Sequence, residues 1–217
     1  LVGSEMCIRD RVTAEEDKVT LEQLDELKEH FGDRIVGVDI PNSFGGDAKF
    51  EDKDASVEVQ PVLGESMEVR NVKIAYGRAI EQQDIDSQRP VTVVSQELVD
   101  AFFGGDGAAA LGQRIDLSVE STGVYTIVGV AEAEQQDASN FGQESASGQA
   151  FVPLSSIDRI YEPITNTDLF DVQAKGDEDP AEFRDELQKY VDRWYSNSDT
   201  AQAEVCLLYT SPSPRDG

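Results

Sequence analysis

The chain has 217 residues, 39% hydrophobic and 7% aromatic, which is enough to fold one core or two small lobes and too apolar for a disordered chain. Its 44 acidic and 18 basic residues give a formal net charge of -26, which repels a phosphate backbone and an anionic membrane surface, so nucleic acid is excluded as a partner. No stretch comes near the roughly 18 to 20 consecutive apolar residues of a membrane span, and no basic start precedes an apolar core as in a signal peptide, so the segment as given is expected to be soluble.

Residues 1–11, ending Ser4-Glu5-Met6-Cys7-Ile8-Arg9-Asp10-Arg11, and residues 205–217 resemble translated sequencing-adapter read-through of the kind met in metagenomic reading frames, and both are set aside from fold reasoning. Each tail is charge-neutral, so residues 12–204 keep the whole charge of -26. Both cysteines, Cys7 and Cys206, lie in the tails, and a cysteine-free interior suits an exported domain without disulfides. The alternative is a Cys7–Cys206 disulfide joining the ends.

Thr20-Leu21-Glu22-Gln23 has capping-box form, and Leu21, Leu24, Leu27 and Phe31 follow at helical spacing until Gly32 stops the helix. His30 sits in its last turn, where an imidazolium suits the helix dipole; it is the chain's single histidine, and a capping role is expected of it. Arg34 to Ile40 reads as a strand entering a turn from Pro41 to Asp47, and Ala55 to Leu63 alternates as a second strand. A further extended run is expected over Glu68 to Tyr76, then a strand over Val91 to Val94 and a helix capped by Ser95 that stops at Gly104-Gly105. Gln113 to Val119 and Val124 to Ala131 make a hairpin, and Glu132 to Gly148 a long polar loop. Phe151 to Leu154 resumes the sheet, a short helix runs from Ser155 or Ser156 to Tyr161, and Asp168 to Ala174 returns as a strand. Asp179 caps the last helix, with Pro180 at its first position and an apolar stripe of Phe183, Leu187, Tyr190, Val191 and Trp194. Helices and strands without regular alternation make the fold class α+β.

One histidine rules out a His-dependent triad and a His-based metal cage within this chain. Phe103 to Gly112 is glycine-rich, but no Lys-Ser/Thr pair follows and Asp106 inside the run would repel phosphate, so it reads as a loop. The clusters Glu51-Asp52-Lys53-Asp54, Asp84-Ile85-Asp86 and Asp177-Glu178-Asp179 lack the calcium-loop pattern and read as solvated surface, with low-affinity calcium binding as the alternative. No catalytic, metal or cofactor site is expected.

Five patches carry a resemblance. They are Val72 to Asp84, containing Gly77, Arg78 and Asp84; Pro90 to Leu98 followed by Phe102, Phe103 and Gly104; Ala110 to Ile115, with Leu111 and Gly112; Tyr125 to Val130, with Val128, Gly129 and Val130; and Ala150 to Leu154, with Pro153 and Leu154. In this order and spacing, with a helix on each side, they resemble the MacB-like periplasmic core domain of ABC-transporter permeases of the MacB/FtsX type. The extra acidic turn around Gly45 to Asp54 and the Gly-Asp-Gly-Ala insertion after Phe103 depart from that pattern.

The resemblance implies a two-lobed mixed α/β extracytoplasmic domain spanning 12–204, with lobe one at about 12–76 and 149–204 and a smaller, β-rich lobe two at about 77–148. It implies a cell-membrane permease whose membrane helices lie outside this chain. That permease would dimerise, pair with an ABC ATPase and engage an extracytoplasmic adaptor or substrate protein. Its work would be export or extraction of a peptide, lipoprotein or drug, with no enzymatic role for this domain. Two other readings stand beside it: an FtsX-like domain that regulates a cell-wall hydrolase by contact, and a secreted glycosidase-like enzyme with a facing carboxylate pair.

Overall fold

The computed structural model describes residues 5–10, 18–132, 148–176, 178–195 and 203–208. Strand β1 is Glu5–Asp10, β2 Val19–Thr20, helix α1 Leu21–Phe31 and β3 Ile35–Asp39. Then come β4 (Phe44–Phe50), β5 (Lys53–Val62), α2 (Ser66–Val69), β6 (Ile74–Gly77), α3 (Gln82–Asp86), β7 (Val91–Val94), α4 (Gln96–Phe103), α5 (Gly107–Ala110), β8 (Arg114–Ser118) and β9 (Thr122–Ala131). The chain continues with β10 (Gly148–Pro153), a 3-10 segment Leu154–Arg159, β11 (Asn166–Thr167), β12 (Leu169–Ala174), α6 (Pro180–Val191) and β13 (Ala203–Leu208). The class is α+β, as expected. Residues 133–147 of the expected polar loop lie outside the described residues.

Contacts divide the chain into two units, Leu1–Pro41 with Thr165–Gly217, and Asn42–Ile164. This displaces the boundary expected at 76/77 and 148/149. β4, β5 and β10 were expected in the first lobe, yet β5 pairs in parallel with β10, which pairs with β7, so all three are built into the sheet of the second unit.

In the first unit the strands run β13-β1-β12-β3, all antiparallel, and β2 pairs with β11. The Thr20 capping box forms: its Oγ1 accepts from the Gln23 N–H at 3.2 Å while Gln23 Oε1 accepts from the Thr20 N–H at 2.8 Å. Leu24, Leu27 and Phe31 are buried along α1, and Phe183, Leu187 and Val191 along α6, as the 3.6-residue period predicts. Their aromatic ends meet, with Phe31 5.2 Å from Phe183 and 5.6 Å from Tyr190. Asp179 caps α6 by accepting from the Ala181 and Glu182 N–H groups, each at 3.0 Å. Arg34 joins the chain ends of these helices, donating two parallel bonds to Glu178 at 3.0 and 2.8 Å and reaching Glu186 at 2.7 Å.

The second unit is a seven-stranded sheet in the order β6-β9-β7-β10-β5-β4-β8. A further β8–β9 pairing closes six of these strands into a barrel-like ring, with β6 on the same edge of β9 beyond β8. Alternation along the strands feeds two cores. Val57, Val59, Val94, Leu117, Tyr125, Ile127, Ala150 and Val152 pack with Leu98 and Phe102 of α4, while Val62, Val91, Val93, Ala131 and Phe151 pack with Met67 and Ile80. β7 is buried on both sides for this reason.

Several sequence expectations are corrected. The Pro41–Asp47 turn is largely strand β4, because Gly46 has no Cβ and the Ser118 carbonyl of β8 comes directly against it. The Glu68–Tyr76 run is not continuous: α2 forms first, its Arg70 N–H bonding the Ser66 carbonyl at 2.8 Å, and Asn71 at φ +54° breaks the chain before β6. The Phe103–Gly112 loop contains α5, capped by Asp106, which accepts from the Ala109 N–H at 3.0 Å. Ser95 precedes α4, but its Oγ accepts from the Gln149 N–H of β10 at 2.9 Å and caps nothing in the helix.

Candidate functional site

The motif residues converge where β6 meets β9. Gly77 ends β6 at φ +75° opposite Gly129, and the Arg78 N–H donates to the Val128 carbonyl at 3.0 Å. A Cβ on Gly77 would strike that same Val128 oxygen and lie 2.8 Å from Leu111 Cδ2, and a Cβ on Gly129 would strike the Arg78 oxygen. Gly112, at φ +80°, donates to the Ile127 carbonyl at 2.8 Å, which fixes the Leu111–Gly112 turn against β9. Val130 is fully buried in one core and Val128 packs against the other.

Arg78 then grips Asp84 across the turn into α3. Its Nη1 and Nη2 donate to Oδ2 and Oδ1 at 2.7 and 3.0 Å, Nη1 also meets the Ala79 carbonyl at 2.9 Å, and the Glu81 N–H adds a third bond to Asp84 at 3.0 Å. Arg89 stands 3.6 Å from the other side of this carboxylate, which is 1% exposed. Burial acts to raise the Asp84 carboxyl, but the Arg78 bonds, the Glu81 N–H and the charges of Arg78 and Arg89 outweigh it and hold the group below its usual range.

The other motif residues lie apart from this junction. Phe103 ends α4 and meets Phe50 at 4.6 Å, while Gly104, in the left-handed region at φ +62°, closes that helix through the Val99 carbonyl. Pro153 ends β10 opposite Val62, and Leu154 is buried.

Among the described residues, no group of three or more His, Cys, Asp or Glu side chains is placed to hold a metal ion. Of the acidic clusters, Glu51 and Asp52 turn the β4–β5 hairpin, Asp86 accepts from Gln82 at 2.8 Å, Glu178 pairs with Arg34 and Asp179 caps α6; Asp177 lies outside the described residues. Buried hydroxyls bond backbone: Thr92 donates to Phe151 at 2.8 Å, and Tyr125 donates to Ser156 at 2.6 Å.

One surface feature escaped the sequence reading. His30 lies in the last turn of α1, as expected, and its ring also stacks on Tyr190 with centroids 4.5 Å apart, while the Arg193 guanidinium sits 4.3 Å from the centre of that same tyrosine ring. A groove of about 340 Å³ opens there in the first unit, lined by His30, Glu186, Lys189, Tyr190 and Arg193. The sequence signal was present in the Lys189–Arg193 spacing of one helical turn, but nothing in it brings His30 of α1 alongside.

Comparison with known proteins agrees with the fold. The family model described as MacB-like periplasmic core domain matches residues 6–190. Among solved structures, the chain is similar to the periplasmic region of MacB from Actinobacillus actinomycetemcomitans, with a TM-score of 0.69 and 14% identity over 94% of this chain and 88% of that one. It is also similar to the extracellular domain of the noncanonic ABC-type transporter YknZ from Gram-positive bacteria, with a TM-score of 0.67 and 14% identity over 92% of this chain and 99% of that one. At such identity the likeness is one of fold. No significant match is found among curated protein sequences.

Proposed function

The chain belongs to the family of MacB-like periplasmic core domains, and from that membership we propose that it is the extracytoplasmic domain of an ABC-transporter permease. In this reading it couples ATP-driven motion to the export or extraction of a peptide, lipoprotein or drug. The observation that carries it is the family match over residues 6–190, and the fold likeness to extracellular regions of two transporters supports it. Among the described residues no helix is long and apolar enough to cross a membrane, so anchoring, dimerisation through the membrane and ATP hydrolysis are assigned to other parts of the transporter and its ATPase partner.

The domain itself is non-catalytic in this proposal. Gly77, Arg78, Asp84, Leu111, Gly112, Val128, Gly129 and Val130 lock β6 and α3 onto β9, Phe103 and Gly104 end α4, Pro153 ends β10 and Leu154 opens the 3-10 segment after it. What such a rigid unit does is transmit displacement.

Recovery of the intact gene, followed by reconstitution of the permease with its ATPase in vesicles, tests this. Replacing residues 12–204 by a short linker is expected to leave ATP hydrolysis in place and abolish movement of substrate. Transport that survives the replacement, or an intact gene without membrane segments and without an adjacent ABC ATPase, would overturn the reading.

A further inference from the structure

We infer that the open edge of β6 is a docking site for an extended peptide, which adds to the sheet as a further strand with an apolar side chain against Tyr76 and a carboxylate against Lys73. β6 stands at the end of the strand order, so β9 occupies one of its sides and no described strand the other. The Lys73 carbonyl accepts from the Glu132 N–H at 2.8 Å, and the Arg78 N–H donates to the Val128 carbonyl at 3.0 Å, so bonded pairs lie at both ends of the β6–β9 ladder. Bonded and non-bonded pairs alternate along an antiparallel ladder. Ile74, opposite Ala131, and Gly77, opposite Gly129, therefore turn their own N–H and C=O groups away from β9. Those outward groups are what an added peptide strand takes up.

The surroundings of the edge set the chemistry of the peptide. Short length, irregular register and a lysine commonly guard an edge against stray pairing, and β6 has four residues, a register shift between Ile74 and Tyr76, and Lys73 beside it. Tyr76 runs the other way. It is 45% exposed, one of two large apolar side chains left so open among the described residues. Its ring lies against the backbone of Gly107 in α5, where an added Cβ would stand 2.6 Å from Cε2 and 3.1 Å from Cγ. The ring is thus seated before any partner arrives, which lowers the entropy lost on binding. Residues 71–80 and 107–115 hold no Asp or Glu, although the chain has 44 of them. Lys73 is exposed, and its side chain makes no ion pair among the described residues. A carboxylate-bearing strand, repelled by the acidic surface elsewhere, meets a cation here. Pairing with a second copy of β6 would instead set one lysine-bearing edge against another.

The site does not depend on the transport reading, and failure of either leaves the other standing. Amide hydrogen exchange of the full 217-residue chain is followed by NMR at residues 73–78. The probe is a blocked peptide of alternating valine and threonine with an aspartate at each end. Its fully N-methylated analogue, which cannot bond the edge as a strand does, and a lysine-ended version serve as controls. Exchange at Ile74 and Gly77 is expected to slow about tenfold with the aspartate-ended peptide and not with the N-methylated one. Tyr76→Ala is expected to weaken binding about tenfold, and Lys73→Glu to reverse the preference between aspartate and lysine ends. Both side chains are exposed, so each variant is expected to keep the fold. Unchanged exchange at β6, or equal protection by the N-methylated peptide, overturns the proposal. Protection that appears without peptide and grows with protein concentration assigns the edge to a second copy and overturns it as well.

Discussion

At Asp84, burial and hydrogen bonding pull in opposite directions, and bonding wins. Its depressed folded value means that it contributes stability above the unfolded aspartate value of about 3.9, and that this contribution is lost as pH falls through the folded value below. Asp84→Asn leaves the Arg78 guanidinium without its anion. Because that side chain is 38% exposed and finds water, the cost is discounted to about 2 kcal/mol from what a fully buried pair would lose. Urea unfolding at neutral pH checks the loss, and the variant is expected to show a shallower acid limb than the parent. Tyr125 has the opposite sign. Burial, opposed by its bond to the Ser156 carbonyl, pushes its hydroxyl up to about 12, so it favours the folded state below the unfolded value of about 10 and ceases to as pH rises toward 12. Tyr125→Phe is expected to cost about 1 to 2 kcal/mol at neutral pH and to flatten the alkaline limb of the stability curve over that interval.

Among the elements, those with local signals were legible and those made by distant partners were not. Thr20 with Gln23, Asp179 with Pro180, and the alternating β8–β9 hairpin all carry their own start, stop and period, and each formed as the residues implied. Strand β4 carries turn-like residues, Gly45-Gly46-Asp47, and becomes a strand only because β5 and β8 flank it. The same division runs through the candidate site. Gly77, Gly112 and Gly129 stand out as motif glycines, but that they meet at one junction, with Arg78 on Asp84 beside it, depends on β6 finding β9. The α1–α6 groove was illegible for that reason too. Gly46→Ala tests the dependence: an added methyl would press on the Ser118 carbonyl and part β4 from β8, at a cost of about 2 kcal/mol. Amide hydrogen exchange is expected to quicken at β4 and β8 while β7 and β10 stay protected; uniform change across the sheet would count against it.

For the molecule as a whole, the uninterrupted segment Asn42–Ile164 contains both cores of the closed sheet and every strand of it. Expressed alone, it is expected to unfold in one cooperative step by circular dichroism, and a molten, non-cooperative product would contradict the division at those residues. Charge acts on the entire chain at once. With 44 acidic against 18 basic residues, repulsion between carboxylates is spread over the surface, whereas attraction acts at short-range contacts such as Arg78–Asp84, Arg34–Glu178 and Lys28–Asp25. Salt weakens both, but not equally. The screening length falls from about 30 Å at 0.01 M to about 3 Å at 1 M, which removes the long-range repulsion while leaving a buried contact such as that of Asp84 nearly untouched. The sign of the salt effect therefore reports which term is larger. The melting temperature is expected to rise as sodium chloride increases over that interval, chloride being chosen because sulfate would stabilise any fold by exclusion from its surface. A melting temperature that falls with chloride would mean that the ion pairs, and not the surplus of carboxylates, set the electrostatic balance of the domain.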